Sequence, residues 1–434
     1  MLPTLRLSVP ADRTRAAGLL DKLRLKPADV VLSQQQDVAA VTATLADVAK
    51  RGDDALVESA RRFDDPAFTA DQIKVRPDEM AAAHARVPAD QLSALRRSIA
   101  QVREYQQHIL PADPAPLRRP GVELGLRYTP LDSAGCYFPG GKAAYPSSLI
   151  MLAVPAQVAG VKRVVVCTPP SKFGKSDLVL AACHELKLTD VYRAGGAAAI
   201  AAMAFGTATV PAVDKIVGPG NRYVQLAKRA LAGVVGVDGF LGPSEILVLA
   251  DDSANPAFIA ADLIAQAEHD PGSCFLLTDS EALAAAVTAE VSRQAATLGR
   301  LAALERSLAN DSAILVSRSW DELLEWANAF AAEHVNLQTG NDDAILAKLR
   351  HGGAIFVGPY SPVAAGDYVA GPSHCLPTNT TARFGSGISA IEFLKRASVE
   401  RYTRDGLAAD AAAIVTLAKA EGLDGHAASV TARL

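Results

Sequence analysis

The first residues whose types and spacing suit chemistry are polar side chains on one predicted helix. Asn255-Pro256 is a good helix start, an N-cap followed by proline at the first helical position. Along this helix Gln266 falls beside the apolar stripe that faces the core, and His269 follows one turn later. A pair at this spacing on one helix face can bind a metal ion, and Asp262 on the same flank is an equal candidate ligand. The alternative is a hydrogen-bonded core amide beside a histidine that stabilises the helix C-terminus.

A second candidate is the adjacent pair Glu333-His334, a carboxylate next to an imidazole. Neighbouring side chains diverge in a regular strand or helix, so their joint action requires an irregular backbone. If both face one cavity, they supply two proton acceptors of different basicity. An exposed pair at a helix end is the alternative.

Further polar candidates lie in the C-terminal part of the chain. Asp367 and His374 occur in Gly366–Pro377, a segment dense in glycine and proline that predicts a loop. A loop carboxylate and a loop histidine suit metal binding or substrate contact. Glu421 and His426 stand near the end of the sequence, where a histidine is usually solvated.

Five cysteines are scattered along the chain without a CxxC pair. Their odd number and wide spacing favour reduced thiols in a cytoplasmic protein. Cys375 or Cys136 could attack an aldehyde as a nucleophile, whereas buried apolar filler is the commoner role of such residues.

Three glycine-bearing turns occur in the middle of the chain: Pro139–Gly141, Gly195-Gly196 and Gly218–Asn221. The second and third directly follow predicted strands, where ligands bind in an open α/β sheet and bare backbone can approach a phosphate. Tight strand-to-helix turns are the alternative. Because neither GxGxxG nor GxxxxGKS/T occurs, the turns alone do not establish a dinucleotide site.

The elements that must position these residues belong to an ordinary globular protein. Of the 434 residues, 43 are basic and 47 are acidic, and half are apolar. This balance excludes a disordered chain, a collagen-like repeat and a coiled coil, and it indicates no cationic face for nucleic acid. The longest uncharged stretch, 194–213, is mostly alanine and glycine, which predicts a buried helix rather than a membrane span. The N-terminal residues lack the apolar run of a signal peptide.

Hydrophobic periodicity predicts helices over 37–63 and 78–110, followed by a proline-dense connector. Beyond it, short β-rich runs alternate with alanine-rich helical stretches. The runs are Val164–Cys167, Val191–Arg193, Lys215–Val217, Ile246–Leu249, Phe275–Leu277, Ile314–Val316 and Ile355–Val357. Such alternation predicts an α/β fold with βαβ units and mainly parallel sheets in two modules. A charged helical tail is predicted after Gly387.

Taken together, these segments resemble the histidinol dehydrogenase family from about Asp37 to His426. The blocks that carry the resemblance are Gly135–Gly141, Val213–Asn221, Gly242–Glu245, Ala261–His269, Glu333-His334, Ala365–Tyr368, Ser373–Thr378 and Ala420–His426. The resemblance implies two incomplete Rossmann-like parallel-sheet domains with a small N-terminal arm and a C-terminal helical segment. The implied divisions are 1–32 for the arm, 33–136 with 250–387 for the first domain, 137–249 for the second domain and 388–434 for a segment exchanged between subunits.

The resemblance also implies a cytoplasmic, zinc-dependent homodimer with shared active sites. The family oxidises L-histidinol to L-histidine through bound L-histidinaldehyde, with two NAD per turnover. The implied zinc ligands are Gln266, His269, Asp367 and, from the other subunit, His426. The implied acid–base residues are His334, which takes the alcohol proton, and Glu333, which activates water. The implied further substrate contacts are Ser244, His374 and Glu421, and NAD would lie near Tyr137 and Asn221.

One residue departs from the family pattern. Where the family usually has glutamine, this chain has Ala198, which cannot make the expected amide contact to NAD. The first alternative is therefore a paralogous NAD-dependent dehydrogenase of another small diol or amino alcohol. A non-catalytic zinc-binding scaffold and a zinc hydrolase are further alternatives. The intact Glu333-His334 pair argues against the scaffold, and the lack of HExxH argues against the hydrolase.

Overall fold

A computed structural model describes residues 2–26, 35–140, 144–172, 174–239, 242, 244–269, 272–296, 298 and 301–434. Within these residues the strands are, in chain order, β1 (Thr4–Arg6), β2 (Leu117–Arg119), β3 (Val122–Pro130), β4 (Ser133–Tyr137), β5 (Arg163–Thr168), β6 (Asp190–Arg193), β7 (Lys215–Val217), β8 (Gly236–Val237), β9 (Ser244–Ala250), β10 (Gly272–Thr278), β11 (Ala313–Val316), β12 (His334–Gln338), β13 (Ala354–Val357) and β14 (Leu394–Tyr402).

The α-helices of the same residues are α1 (Pro10–Leu23), α2 (Gln35–Arg51), α3 (Asp53–Phe63), α4 (Pro77–Arg86), α5 (Ala89–His108), α6 (Pro146–Ala159), α7 (Asp177–Glu185), α8 (Gly196–Phe205), α9 (Arg222–Leu231), α10 (Pro256–Ala267), α11 (Glu281–Ala295), α12 (Leu301–Asn310), α13 (Trp320–Phe330), α14 (Asp342–Leu346), α15 (Val363–Tyr368), α16 (Arg404–Ala420) and α17 (Asp424–Thr431). Short 3-10 turns occur at Ala70–Gln72, Thr381–Arg383 and Ala390–Phe393. The predicted mixed α/β fold is confirmed, and each of the seven predicted β-rich runs lies in a strand.

The first parallel sheet has the order β6-β5-β4-β7-β8. Its strand order reverses between β4 and β7, where the chain has crossed from one half of the sheet to the other. Consecutive side chains point to opposite faces, so Val166 joins one buried cluster and Val165 joins the other. Helices α6 and α7 cover the first face, and α8 and α9 cover the second. This is the topology of an open doubly wound sheet.

The second parallel sheet has the order β1-β11-β10-β9-β12-β13. Helices α10 and α11 cover one face, where Ile246 and Val248 are buried. Helices α1 and α13 cover the other, where Leu247 and Leu249 are buried. The order again reverses once, between β9 and β12. β13 forms the edge of this sheet.

Two of the predicted divisions need correction. The helices predicted over 37–63 and 78–110 are present as α2 to α5, but they pack against α6 to α9 of the first sheet rather than joining 250–387. Val41 of α2, for example, shares a buried cluster with the helices of that sheet. The grouping of 33–136 with 250–387 is therefore wrong for these helices. The described part of the 1–32 arm is built into the second sheet, because β1 pairs with β11.

The C-terminal segment is helical only in its second part. Strand β14 pairs antiparallel with β3, and β3 pairs with β2, in a separate three-stranded sheet. Helices α16 and α17 follow β14 and pack against each other. The prediction of a wholly helical tail after Gly387 is wrong for Leu394–Tyr402, where the ladder with β3 decides the conformation. Among the described residues, the helices include none with the length and apolar character needed to cross a membrane.

Candidate active site

The predicted site residues lie where the two parallel sheets face each other. Ser244 begins β9 and His334 begins β12, so both stand at the amino edge of the second sheet. Gln266 lies in the last turn of α10, close to the same edge. The first sheet contributes its carboxyl edge, where Tyr137 ends β4. A hydrogen bond from Ser373 Oγ to the Met151 carbonyl (3.2 Å) joins the two sides.

The backbone before β12 makes the turn that the Glu333-His334 pair requires. Helix α13 ends at Ala331 with a left-handed conformation (φ 42°), and the regular ladder of β12 starts only at His334. Both side chains are buried, with His334 Nδ1 3.6 Å from Glu333 Oε2. The condition set by the sequence, an irregular backbone that lets neighbouring side chains act together, is therefore met.

Glu333 is held by two donors at the start of β9. Its Oε2 accepts a hydrogen bond from Ser244 Oγ and another from the Glu245 backbone N–H at 3.1 Å. Burial raises the pKa of Glu333 well above its ordinary value, and these two hydrogen bonds oppose the rise only in part. A carboxylate with a raised pKa is a stronger base when ionised, which suits activation of water.

His334 is a buried imidazole between two carboxyl groups. Its Nε2 lies 3.9 Å from Asp367 Oδ1, opposite the Glu333 contact. Neither ring nitrogen makes a hydrogen bond to the described residues. Burial, with smaller contributions from His269 and His374, lowers the pKa of His334 to about 3. The imidazole is therefore neutral near pH 7 and can accept a proton.

Two of the four predicted zinc ligands, His269 and Asp367, lie close enough for each to shift the pKa of the other. The Asn255 cap of α10 is present, accepting from Ala257 N–H at 2.9 Å, and Gln266, one turn before His269, faces the core as predicted. Gln266 Nε2 is buried and has no hydrogen-bond partner among the described residues. Burial raises the pKa of Asp367 to about 6, and the nearby His269 opposes that rise.

His269 itself is exposed to solvent in the single chain. Among the described residues, no cluster of three or more His, Cys, Asp or Glu side chains is arranged to hold a metal. Gln266 is an amide and is not one of these four side-chain types. Within one chain the predicted ligands thus amount to one amide, one imidazole and one carboxylate.

His374 is fixed by hydrogen bonds on both ring nitrogens. Its Nδ1 donates to the Asp367 carbonyl at 2.8 Å, since a carbonyl can only accept, and Ser148 Oγ lies 3.1 Å from its Nε2. Burial lowers the pKa of His374, so the ring is neutral and Nε2 accepts from Ser148. Ser148 at the start of α6 was not found from the sequence, where nothing distinguishes it from an ordinary helix-start serine.

An open cavity of about 730 Å³ adjoins these groups. Its polar lining includes His334, Asp367 and His374, and Phe356 and Tyr360 are among its aromatic lining residues. A cavity of this size accommodates a small polar molecule together with part of a larger one.

Glu245 is a site residue that sequence analysis missed. It is buried, its Oε1 accepts from the Asn379 N–H at 2.6 Å, and its Oε2 has no partner. Burial raises the pKa of Glu245 to about 8. The signal that could have found it is a carboxylate at the start of an otherwise apolar strand, Ser244–Ala250.

The residues predicted to contact NAD lie on both sides of the strand-order reversal in the first sheet. Tyr137 ends β4, and its hydroxyl accepts from the Gly196 N–H at 3.2 Å. Asn221 follows β7 and caps α9, accepting from Tyr223 N–H at 3.0 Å. Between them Gly218 (φ +124°) passes so close to the Tyr137 carbonyl that a Cβ would be 1.8 Å from it. Ala198 is buried in the first turn of α8.

Two predicted residues, Glu421 and His426, do not reach this site within the chain. Both are exposed on the C-terminal segment and are absent from the cavity lining. The cysteines are buried and free of disulfides. Burial raises the pKa of Cys375 to about 12 and raises that of Cys136 as well, which favours the filler role over the nucleophile.

Comparison with known proteins gives the family. A family model for histidinol dehydrogenase matches residues 30–434. Histidinol dehydrogenase of Caulobacter vibrioides is 45% identical over 428 residues, 98% of each chain, and that of Geobacillus kaustophilus is 47% identical over 397 residues, 91% of this chain and 93% of the other. The crystal structure of histidinol dehydrogenase from Elizabethkingia anophelis has a TM-score of 0.92 at 32% identity, covering 100% of this chain and 98% of that one.

The fold has two parallel α/β sheets and a buried acid–base pair, and the match to the family model defines the protein as an α/β enzyme of the oxidoreductase class. The chain belongs to the histidinol dehydrogenase family.

Proposed function

We propose that this chain oxidises L-histidinol to L-histidine through bound L-histidinaldehyde, with NAD as oxidant and zinc as the bound metal, the last reactions of histidine biosynthesis. The observation that carries the proposal is the neutral imidazole of His334 in a cavity wall, with the buried carboxyl group of Glu333 on one side and the half-buried carboxyl group of Asp367 on the other. An acid–base pair of this kind serves removal of a hydroxyl proton and activation of water. We infer the substrate, L-histidinol, from membership of the family.

The three proposed ligands within one chain fit a zinc site if a fourth ligand is added. Gln266, His269 and Asp367 would hold the ion, with Gln266 binding through its amide oxygen. His269 and Asp367 are close enough for each to shift the pKa of the other, so an imidazole and a carboxylate lie side by side. Amide ligands are unusual for zinc, whereas imidazole and carboxylate ligands are common. When bound, zinc would hold the nitrogen atoms of the substrate and orient its carbinol carbon.

The protein groups then divide the work of a four-electron oxidation. His334 accepts the hydroxyl proton as hydride leaves the carbinol carbon for the nicotinamide. Glu333, held by Ser244, removes a proton from the water that adds to the aldehyde. As the water adds, His334 returns its first proton to the aldehyde oxygen, which gives the hydrate. His334 then takes a hydroxyl proton of the hydrate as the second hydride leaves. Retaining the aldehyde between the two steps avoids release of a reactive compound.

Nicotinamide dinucleotide would occupy the reversal point of the first sheet, near Tyr137 and Asn221. Ligands of open α/β sheets bind outside the carboxyl ends of strands at such a point. The close passage of Gly218 past the Tyr137 carbonyl leaves no room for a side chain on that glycine. The Gly196 N–H donates to the Tyr137 hydroxyl, so the N-terminus of α8, which favours an anion, lies beside the same edge.

A second copy of the chain would complete each site. Glu421 would offset the positive charge of the substrate and His426 would be the fourth zinc ligand, both from the partner's C-terminal segment. Support comes from the exposure of both residues and of the nearby Leu417 and Leu423 in the single chain. Five buried reduced cysteines favour the cytoplasm as the compartment.

The direct test is product stoichiometry. Purified enzyme with zinc, L-histidinol and excess NAD is expected to form two NADH for each L-histidine. Chelator treatment should abolish the reaction and added zinc should restore it, because the metal holds the substrate. Absence of NADH formation, or release of the aldehyde after one equivalent, would contradict the proposal.

Ala198 favours one second candidate, a dehydrogenase of another small amino alcohol or diol. Steady-state kinetics with L-histidinol beside other alcohols separates the two functions. A kcat/KM at least about a hundredfold higher for another alcohol would favour the paralogue, since one well-placed polar contact can discriminate by that much or more.

A further inference from the structure

The turn that leads into α15 is held by two buried polar side chains. Asn336 Nδ2 donates to the Ser361 carbonyl at 3.1 Å. The buried Asp262 carboxyl group lies close to the N–H of Val363, the first residue of α15, which partly offsets the effect of burial on its pKa. Asn336 and Asp262 thus meet this turn from two different elements, one residue on either side of Pro362. Asp367 lies on α15, four residues beyond Val363.

Each anchor lies on an element that also carries a site residue. Asp262 is one turn before Gln266 on α10, and both side chains are buried. Asn336 is two residues after His334 on β12, so both point to the same face of the strand. The Asn336 hydrogen bond and the approach of Asp262 to Val363 therefore link the three elements that supply Gln266, His334 and Asp367.

Helix α15 depends on its surroundings for its position. It is six residues long, too short for a stable helix without tertiary contacts. Its C-terminal end is held by His374 Nδ1, which donates to the Asp367 carbonyl, and by Ser98 Oγ, which donates to the Tyr368 carbonyl. The contacts at Ser361 and Val363 act at its other end, so the two ends together set the position of Asp367.

The anchors are polar groups in a place where apolar residues would be easier to bury. Asn336 is fully buried and its Oδ1 has no hydrogen-bond partner among the described residues, and burial raises the pKa of Asp262 to about 6. Buried polar groups that lack complete partners cost stability, so we expect them to serve a local purpose. Asp262 was an equal candidate for the metal itself, but its carboxyl group lies by the Val363 N–H.

We propose that Asp262 and Asn336 are positioning residues that set Asp367 at the correct place relative to Gln266, His269 and His334. The proposal rests on the proposed function, in which Asp367 and Gln266 hold zinc. Neither positioning residue contacts metal or substrate. Groups that orient metal ligands typically account for a 10- to 100-fold difference in metal affinity.

The test is zinc affinity of the full-length protein, measured by competition with a chromophoric chelator. Asp262→Ala and Asn336→Ala should each weaken zinc binding about 10- to 100-fold. Asp262→Asn should retain most of the affinity, because the amide oxygen can still accept from Val363. Ile259→Ala is the matched control: it removes buried volume from the same helix without touching the turn, and it should lower the unfolding temperature but leave zinc affinity unchanged.

Wild-type affinity for Asp262→Ala or Asn336→Ala would overturn the inference, and so would an equal loss in Ile259→Ala. If Asp262→Ala does not fold, Asn336→Ala and Asp262→Asn decide the outcome. Failure of the wild-type protein to bind zinc would overturn the proposed function as well. Zinc binding by the wild type with unaffected variants would overturn the positioning roles alone.

Discussion

At the scale of single residues, the protonation state of His334 is decided by burial. Burial opposes protonation of the imidazole more strongly than the two nearby carboxyl groups favour it. Two carboxyl groups within 4.0 Å would favour a protonated imidazole if both were ionised. Burial instead raises the pKa of Glu333 and Asp367 and lowers that of His334 to about 3. The result is a proton acceptor that is free at neutral pH beside a carboxyl group of higher basicity.

Replacement of His334 tests its role as acid–base residue. His334→Ala should lower turnover by about two to four orders of magnitude, the usual contribution of a positioned proton acceptor. Zinc content, measured by metal analysis, should not change, because His334 is not a proposed ligand. Loss of zinc in this variant would instead make His334 a ligand and contradict the division of roles given above.

The same variant provides a second readout in acid. Because the folded pKa of His334 is about 3 against an ordinary 6.5, the unfolded chain binds one more proton between these values. The contribution of His334 to stability is therefore present above pH 6.5 and is lost as pH falls toward 3. In chelator-treated protein, His334→Ala should reduce the slope of unfolding free energy against pH in this window by up to about 1.4 kcal/mol per pH unit. An unchanged slope would mean that His334 is not neutral in the folded state.

At the scale of elements, local pattern predicted seven of the fourteen strands in the described residues and missed others that carry site residues. The β-rich runs lie in strands because uninterrupted apolar stretches mark buried parallel strands. β4 and β12 were missed because small or polar residues interrupt their runs, and β12 carries His334. The burial of Gln266 followed from helical periodicity. The packing of α2 to α5 on the first sheet did not, because contacts between distant segments leave no local pattern.

The first turn of α8 gives the prediction that belongs to this scale. Ala198→Gln would place an amide near the end of β4, where NAD is proposed to bind. It should lower the KM for NAD about 2- to 12-fold with kcat unchanged, because one added hydrogen bond contributes about that much to binding. Initial-rate kinetics at saturating L-histidinol measure this. Ala199→Gln is the matched control: its position is also buried, so it should cost stability through overpacking without improving KM. An unchanged KM for NAD in Ala198→Gln would show that position 198 does not contact the cofactor.

At the scale of the whole molecule, the C-terminal segment is only partly used by its own chain. In α16 the buried residues are Gly406 and Ala418, while Leu417 is 64% exposed. The segment is attached through β14 to β3, away from the cavity lining. It carries Glu421 and His426, whereas Asp367 lines the cavity and Gln266 and His269 lie at and just after the end of α10. A segment that offers the complementary residues and an uncovered apolar surface is suited to exchange with an identical chain.

Mixed dimers test this exchange directly. His426→Asn should be inactive alone, and so should a chain carrying Glu333→Gln with His334→Ala. If sites are shared, a heterodimer of the two has one site with both defects and one with neither, so it should regain about half the activity of the wild-type dimer by counting sites. Co-expression with two different tags and tandem purification isolates the heterodimer for NADH assays. Because a site built within one chain would leave every site with a defect, an inactive heterodimer of proven composition would place His426 in the site of its own chain.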